Sequence, residues 1–273
     1  MNRRRGCLLI LTAGLVAGPA SASASVFVYA VPSNYSGSSD RKQSQSQGIY
    51  FDGQAGELAY EQTRIDYTDG LSSIQTDLTA VLNSNPNRLH TRRFGIHYAT
   101  ANEPESDGKI TLIAETLHYP HNVYGSALYY TRYDNDDADV FQISPRVGRY
   151  FWPTSIRGTL YLELQAHAIS IKPQSESQNY LSFELNSHWA IDPWGLALGV
   201  KLGEQRSAVT DRGFTVYNLY DTYGSAVDFS STFSITEQTS IKLGAQLNRR
   251  QSRDDRQMGT VSTVFFGLSH TLK

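Results

Sequence analysis

The chain has 273 residues, with 24 Lys and Arg against 26 Asp and Glu and a formal charge of -2. That balance excludes a nucleic-acid binder, which needs a basic excess. A single cysteine, Cys7, excludes a disulfide framework and a cysteine-based metal site.

Met1 to Arg5 is basic, Leu8 to Val16 is apolar, and Ala22-Ser23-Ala24 is small, which is the pattern of an export leader. Cleavage is expected before Ser25, so that residues 1–24 leave and residues 25–273 form one domain. Cys7 precedes the apolar run, whereas a lipoprotein cysteine would follow it. Loss of Arg3, Arg4 and Arg5 removes three positive charges and takes the formal charge from -2 to -5, since the leader holds no acid. Nothing further along approaches the roughly 18 apolar residues of a membrane helix. A mean hydropathy of -0.39 suits instead a barrel, in which only alternate residues meet lipid.

Ser25 to Asn34 reads as the first strand, with Pro32 tolerable only at a strand end or where the ladder is locally broken. The Ser/Gln-rich run Ser36 to Gln47 reads as an exposed loop. Gly48 to Asp52 and Glu57 to Tyr67 read as strands around the turn DGQAG. Placing Ile65 and Tyr67 on lipid places Glu61 there too, a conflict that a bulge near Glu61 would resolve. Thr68-Asp69-Gly70 is a hairpin signal. Ile74, Leu78 and Leu82 then alternate with Gln75, Asp77 and Thr79. Phe94, Ile96 and Tyr98 alternate with Arg93, Gly95 and His97. Lys109 to Tyr119 and Val123 to Tyr133 make the next pair. In the following strand Phe141, Ile143 and Val147 oppose Gln142, Ser144 and Arg146.

Residues 156–205 carry the clearest pattern. Leu160, Leu162 and Leu164 oppose Tyr161, Glu163 and Gln165. Leu181, Phe183 and Leu185 oppose Ser182, Glu184 and Asn186. Leu196, Leu198 and Val200 oppose Ala197, Gly199 and Lys201. Period two over this length means strand. The longest irregular segment, 206–222, follows. Its apolar Phe214, Val216, Tyr217 and Leu219 are odd for a solvated loop and predict packing over or into a lumen mouth. Val227 and Phe229, then Ile241, Leu243 and Leu247, then Val264, Phe266 and Leu268 mark the last three strands.

The expectation is an all-β fold, a transmembrane antiparallel up-and-down β-barrel of about 14 strands, with 12 as the alternative count. The turns sort into a tight set rich in Pro and aromatics and a longer, polar set, in alternation. Tyr119, Phe151, Trp152 and Trp194 are expected in an aromatic girdle at the tight-turn end. A soluble barrel that buries the apolar face would need only about eight strands, which favours the membrane reading over it.

These features resemble the Gram-negative outer-membrane β-barrels, over essentially the whole mature chain, and the strand count and loops resemble the small monomeric porins. The last strand, Val264 to Lys273, has the alternating form that the barrel-assembly machinery recognises in such proteins, and ends in Leu272-Lys273 where they carry an aromatic. The resemblance implies an outer-membrane location, a monomer, and outer-membrane lipid, lipopolysaccharide and the assembly machinery as partners, with no nucleic acid.

The polar face carries both signs of charge. Arg146, Arg157, Tyr161, Glu163, Glu184, His188, Lys201 and Lys242 are expected to line the lumen. The break at 172–178 and the turn DPWG place Glu184 opposite Lys201 with Gln165 on its other side, and Tyr161 opposite His188. His97, His167 and His188 sit at no metal-ligand spacing and read as wall residues. No catalytic, cofactor or metal residue is expected, and the chain is read as no enzyme. A porin-like channel for passive diffusion of small hydrophilic solutes is the first functional reading. A closed structural or accessory barrel of an envelope export or assembly system is the alternative, and an outer-membrane lipid-modifying enzyme is the second.

Overall fold

The computed structural model describes residues 24–37, 40–87, 89–103, 107–119, 122–133, 138–152, 158–172, 178–216, 221–251 and 258–272. The leader expected over residues 1–24 lies outside them except for Ala24, as do Arg157, Tyr217 and Leu219.

In chain order the strands are β1 (Ala24–Ser36), β2 (Arg41–Gly53), β3 (Gly56–Tyr67), β4 (Ser72–Asn87), β5 (His90–Ala101) and β6 (Lys109–His118). Then come β7 (Asn122–Tyr133), β8 (Ala138–Phe151), β9 (Thr159–Lys172), β10 (Gln178–Ile191) and β11 (Trp194–Gly203). A short hairpin of β12 (Val209–Thr210) and β13 (Thr215–Val216) precedes β14 (Thr222–Ser234), β15 (Thr239–Gln251) and β16 (Met258–Leu272). All but β12 and β13 form one closed antiparallel barrel in which each strand pairs with its sequence neighbours and β1 pairs with β16. The barrel therefore has 14 strands, as the alternation predicts. Both described termini lie at one end, the terminus end, where the short turns also fall; the longer connections fall at the loop end.

The faces follow the pleat. Leu78, Phe94, Leu112, Phe141, Leu185, Leu198, Phe229, Leu243 and Phe266 point outward and are exposed. This continuous apolar belt is what a membrane-spanning barrel presents to lipid. Trp152 and Trp194 are exposed at the terminus end, with Trp194 4.7 Å from Phe233 by ring centroids. Tyr119 departs from the expected girdle: it lines the interior.

Two readings are corrected near the N-terminus. Arg41 to Gln47 is the first half of β2, paired to β1 and β3, and the connection before it is short. Ser44 and Ser46 point inward, where the Ser46 and Thr63 hydroxyls are 2.6 Å apart. In β3 there is no register shift at Glu61. Leu58 and Tyr60 face outward, while Glu61, Ile65 and Tyr67 face inward, the last two buried.

That inversion is general at the loop end. Tyr35, Tyr133, Val140, Ile169, Ile171, Tyr223 and Val261 pack inward as one cluster. Outward, the same strand ends show Gln43, Gln45, Arg64 and Arg132. Above the apolar belt the wall thus has the polarity of a water-soluble barrel. Arg41 and Arg250 lie over the Tyr35 ring at 5.8 and 5.6 Å, and Asp221 pairs with both at 2.8 Å.

Candidate functional site

The segment between β11 and β14 enters the barrel from the loop end. Gln205 and Tyr223 form an isolated bridge at its neck. Beyond it β12 and β13 pack against one side of the wall, with Val209 and Val216 among Val81, Ile113, Ala127 and Tyr129. The Gln142 side chain donates to the Val209 carbonyl at 2.7 Å and accepts from the Val209 amide at 2.8 Å, so it supplies the two bonds of a missing strand neighbour. Lys109 Nζ donates to the Val216 carbonyl at 3.3 Å. The tip turns through Asp211, Arg212 and Gly213, at φ of 49°, 57° and 100°. Only glycine fits the last position, because a Cβ there would strike Ile113. The expected insertion of this segment is the arrangement found, for Phe214 and Val216 among the described residues.

The tip is held by charge. Arg93 grips Glu57 through two bonds of 2.9 Å and also pairs with Glu115. Glu115 pairs in turn with Arg146 and, at 3.3 Å, with Arg212 of the tip. Arg146 reaches Glu163 at 4.0 Å. A belt of alternating charge therefore runs round the wall through β3, β5, β6, β8 and β9, and the tip is tied to it. Burial opposes the charge on Arg212, but Glu115 and Glu57 outweigh it and keep the guanidinium protonated. Phe214 lies edge-on to Tyr50 at 5.0 Å, with the Arg93 guanidinium 5.8 Å from its ring.

The rest of the lumen, from the hairpin to the terminus end, is an open cavity of about 220 Å³. Of the expected lumen residues, Arg146, Tyr161, Glu163, Glu184 and His188 line it. Lys201 is directly opposite Glu184 in the register and bonded to it at 2.7 Å; Gln165 is opposite Glu184 on the other side, and Tyr161 is opposite His188. Lys242 points inward with its Nζ 5.6 Å from the Phe265 ring. Arg157 is outside the described residues. Sequence reading did not single out Glu57, Glu115, Arg212 or Asp211 as lumen residues. The first two were within reach of it, since Glu115 is opposite Arg93 across β5 and β6. The other two act through a contact across the lumen that no local pattern encodes.

Two chains of hydroxyl, imidazole and carboxylate occur in the wall. Ser144 is 2.9 Å from His167 Nδ1, whose Nε2 is 3.3 Å from Glu184. Thr79 is 2.8 Å from His97 Nδ1, whose Nε2 is 3.2 Å from Asp77. The Ser144 hydroxyl is fully buried and shares Gln142, so these contacts fix ring orientation rather than present a nucleophile.

No protein-family profile matches the chain, and no curated protein sequence matches it significantly. Solved structures do. An outer-membrane protein of Acinetobacter baumannii, Omp33, superposes with a TM-score of 0.54 at 11% identity, over 92% of this chain and 99% of that one. A bacterial polysaccharide outer-membrane secretin gives 0.53 at 10% identity, over 92% and 99%. The CymD monoaromatic hydrocarbon channel gives 0.52 at 6% identity, over 97% and 94%. At such identities the likeness is one of fold, the closed barrel of outer-membrane proteins.

Proposed function

We propose that the chain is an outer-membrane channel for passive diffusion of small hydrophilic solutes, narrowed by the hairpin 209–216. The observation that carries this reading is the width of the lumen. A barrel of eight strands is just filled by side chains; this one leaves an open cavity with a charged wall beside an inserted segment. The hairpin also keeps the marks of a movable element. Its tip holds non-glycine residues at positive φ, and the Thr210 Oγ1 and Asp211 Oδ1 atoms are buried without hydrogen-bond partners among the described residues. Solute would enter past the hairpin from the cell exterior and leave at the terminus end, in the periplasm. Export by the leader, assembly through β16, contact with lipid and lipopolysaccharide, and a monomeric state belong to the same reading. That the first two similar structures include a secretin and the third a hydrocarbon channel agrees with passage as the role.

A closed accessory barrel is the second reading, favoured by the apolar cluster that fills the loop end. Planar-bilayer current separates the two. The wild-type chain is expected to conduct, and replacement of residues 208–217 by a short Gly-Ser linker to raise the current severalfold. Silence of both proteins overturns the channel; current from the shortened chain alone makes the hairpin a fixed plug.

A further inference from the structure

Six carboxylates line the cavity against two guanidinium groups, those of Arg146 and Arg212. Both guanidinium groups are taken up by Glu115. Glu57 is paired with Arg93 and Glu184 with Lys201, and Glu163 faces Arg146. Three carboxylates are left with no Lys or Arg ion pair among the described residues: Glu61, Asp77 and Asp211. Glu61 and Asp77 are directly opposite each other across β3 and β4, and both face the lumen. Like charges so placed repel, and among the described residues the wall offers them only hydroxyl groups, an amide and His97.

The surroundings of this pair are aromatic. The Tyr29 hydroxyl donates to Glu61 at 2.6 Å. Its ring lies against Gly48, where a Cβ would collide with it, and lines the cavity. Phe27 covers Gly267 in the same way, stacks 5.7 Å from Tyr29 and lies tilted 5.7 Å from Phe265. Ring faces beside unbalanced carboxylates are the surroundings that an ammonium group prefers to water. The hairpin adds an independent, unsatisfied polar group. Thr210 is 4% exposed and lines the cavity, yet its hydroxyl has no hydrogen-bond partner among the described residues. Asp211 Oδ1 beside it is unpartnered too among the described residues.

We infer that this cavity binds a small organic cation, an alkylated ammonium held between the Tyr29 and Phe27 rings and the Glu61–Asp77 pair, with the hairpin hydroxyl as a further polar contact. The inference rests on the channel reading for its biological use, since it names the solute class that would pass; the binding itself does not need conduction. Lys242 stands over the third ring, Phe265, and so limits the site to the β1–β4 side.

The test uses the purified full chain in detergent, titrated by calorimetry with choline and with its neutral isostere 3,3-dimethylbutan-1-ol. Choline is expected to bind, and the isostere at least tenfold more weakly. The double variant Glu61→Gln, Asp77→Asn is expected to lose at least tenfold in choline affinity and to keep its heat-modified gel migration. Tyr29→Leu, which leaves both charges, is expected to lose severalfold and serves alone if the double variant misfolds. Equal binding of the two ligands, or choline affinity unchanged in these variants, overturns the site. Choline binding by a chain that passes no current keeps the site and removes the channel; current with no choline binding does the reverse.

Discussion

At the scale of single residues, Glu115 is the hub. It is fully buried and compensates guanidinium groups from β5, β8 and the hairpin tip. Glu115→Gln leaves buried cations without their counter-charge, so a loss of about 3–5 kcal/mol is expected, read as a lower denaturant midpoint. An unchanged midpoint would show that solvent screens the belt. The Glu184–Lys201 pair needs a similar revision. An exposed cross-strand pair contributes roughly 0.2–1 kcal/mol, but here the two side chains are only 10% and 9% exposed. Lys201→Met is therefore expected to destabilise more than that range, and a loss inside it would mean water reaches the pair. Asp211 gives a pH dependence. Burial, reinforced by Glu184, pushes its carboxyl well above the usual carboxylate range. A carboxyl raised on docking holds its proton more tightly in the docked hairpin, so docking is strongest below the free carboxylate value. It weakens as pH rises through the window up to the raised value. Current is expected to grow with pH across that window and Asp211→Asn to flatten the growth; a wild-type current that ignores pH sinks the idea.

At the scale of elements, each strand is a record of its solvent. Where lipid lies outside, period two is written in Leu, Phe and Val, and those faces are legible directly: Leu185 and Leu198 are outward and exposed as expected. Leu185→Lys is accordingly expected to cost about 2–4 kcal/mol near the midplane, seen as loss of the heat-modified band at lower temperature. Where water lies outside, the same period carries the opposite message. Ile65 and Tyr67 read as lipid-facing only because the lower barrel sets that rule; in the upper barrel they are core. The polar half of β2 misleads for the same reason, since Gln43 and Gln45 face water while Ser44 and Ser46 face the packed interior. Turns were legible because their chemistry is local. The docking of β12 and β13 was foreshadowed by apolar residues in a loop, but its partners were not, because Gln142, Glu115 and Ile113 are brought to it only by closure of the ring.

At the scale of the whole molecule, the ring is less uniform than its strand count implies. Between β1 and β16 the paired positions run to Ala30 and Phe266 and resume at Ser33 and Thr263, around Pro32. Between β8 and β9 they run to Ile143 and Ala168 and resume at Arg146 and Gln165, around Pro145. Neither gap shifts the register, because the same number of residues is skipped on each strand. A proline has no N–H to give, so the ladder opens there and closes again. On the other side both prolines keep their places, against Gln45 and Ser126. Amides flanking the two gaps, such as those of Val264 and Ala166, are expected to exchange with deuterium sooner than their neighbours; uniform protection along β9 and β16 would count against it. The two gaps lie on nearly opposite sides of the ring. A tube softened along two opposed lines does not swell evenly; it flattens. The cross-section can pass between rounder and more oval outlines by bending at these seams, with the two arcs of wall between them moving as stiff shells. Through β5, β6 and β8 the hairpin is fastened to the shell that runs from β1 to β8, which also carries Tyr29 and Phe27, whereas Phe265 on β16 and Lys242 on β15 belong to the other. Flattening would therefore draw the hairpin and the Phe265 wall together or apart while the hairpin keeps its ties to β5, β6 and β8, and the bore would be set by the shape of the tube as well as by what stands inside it.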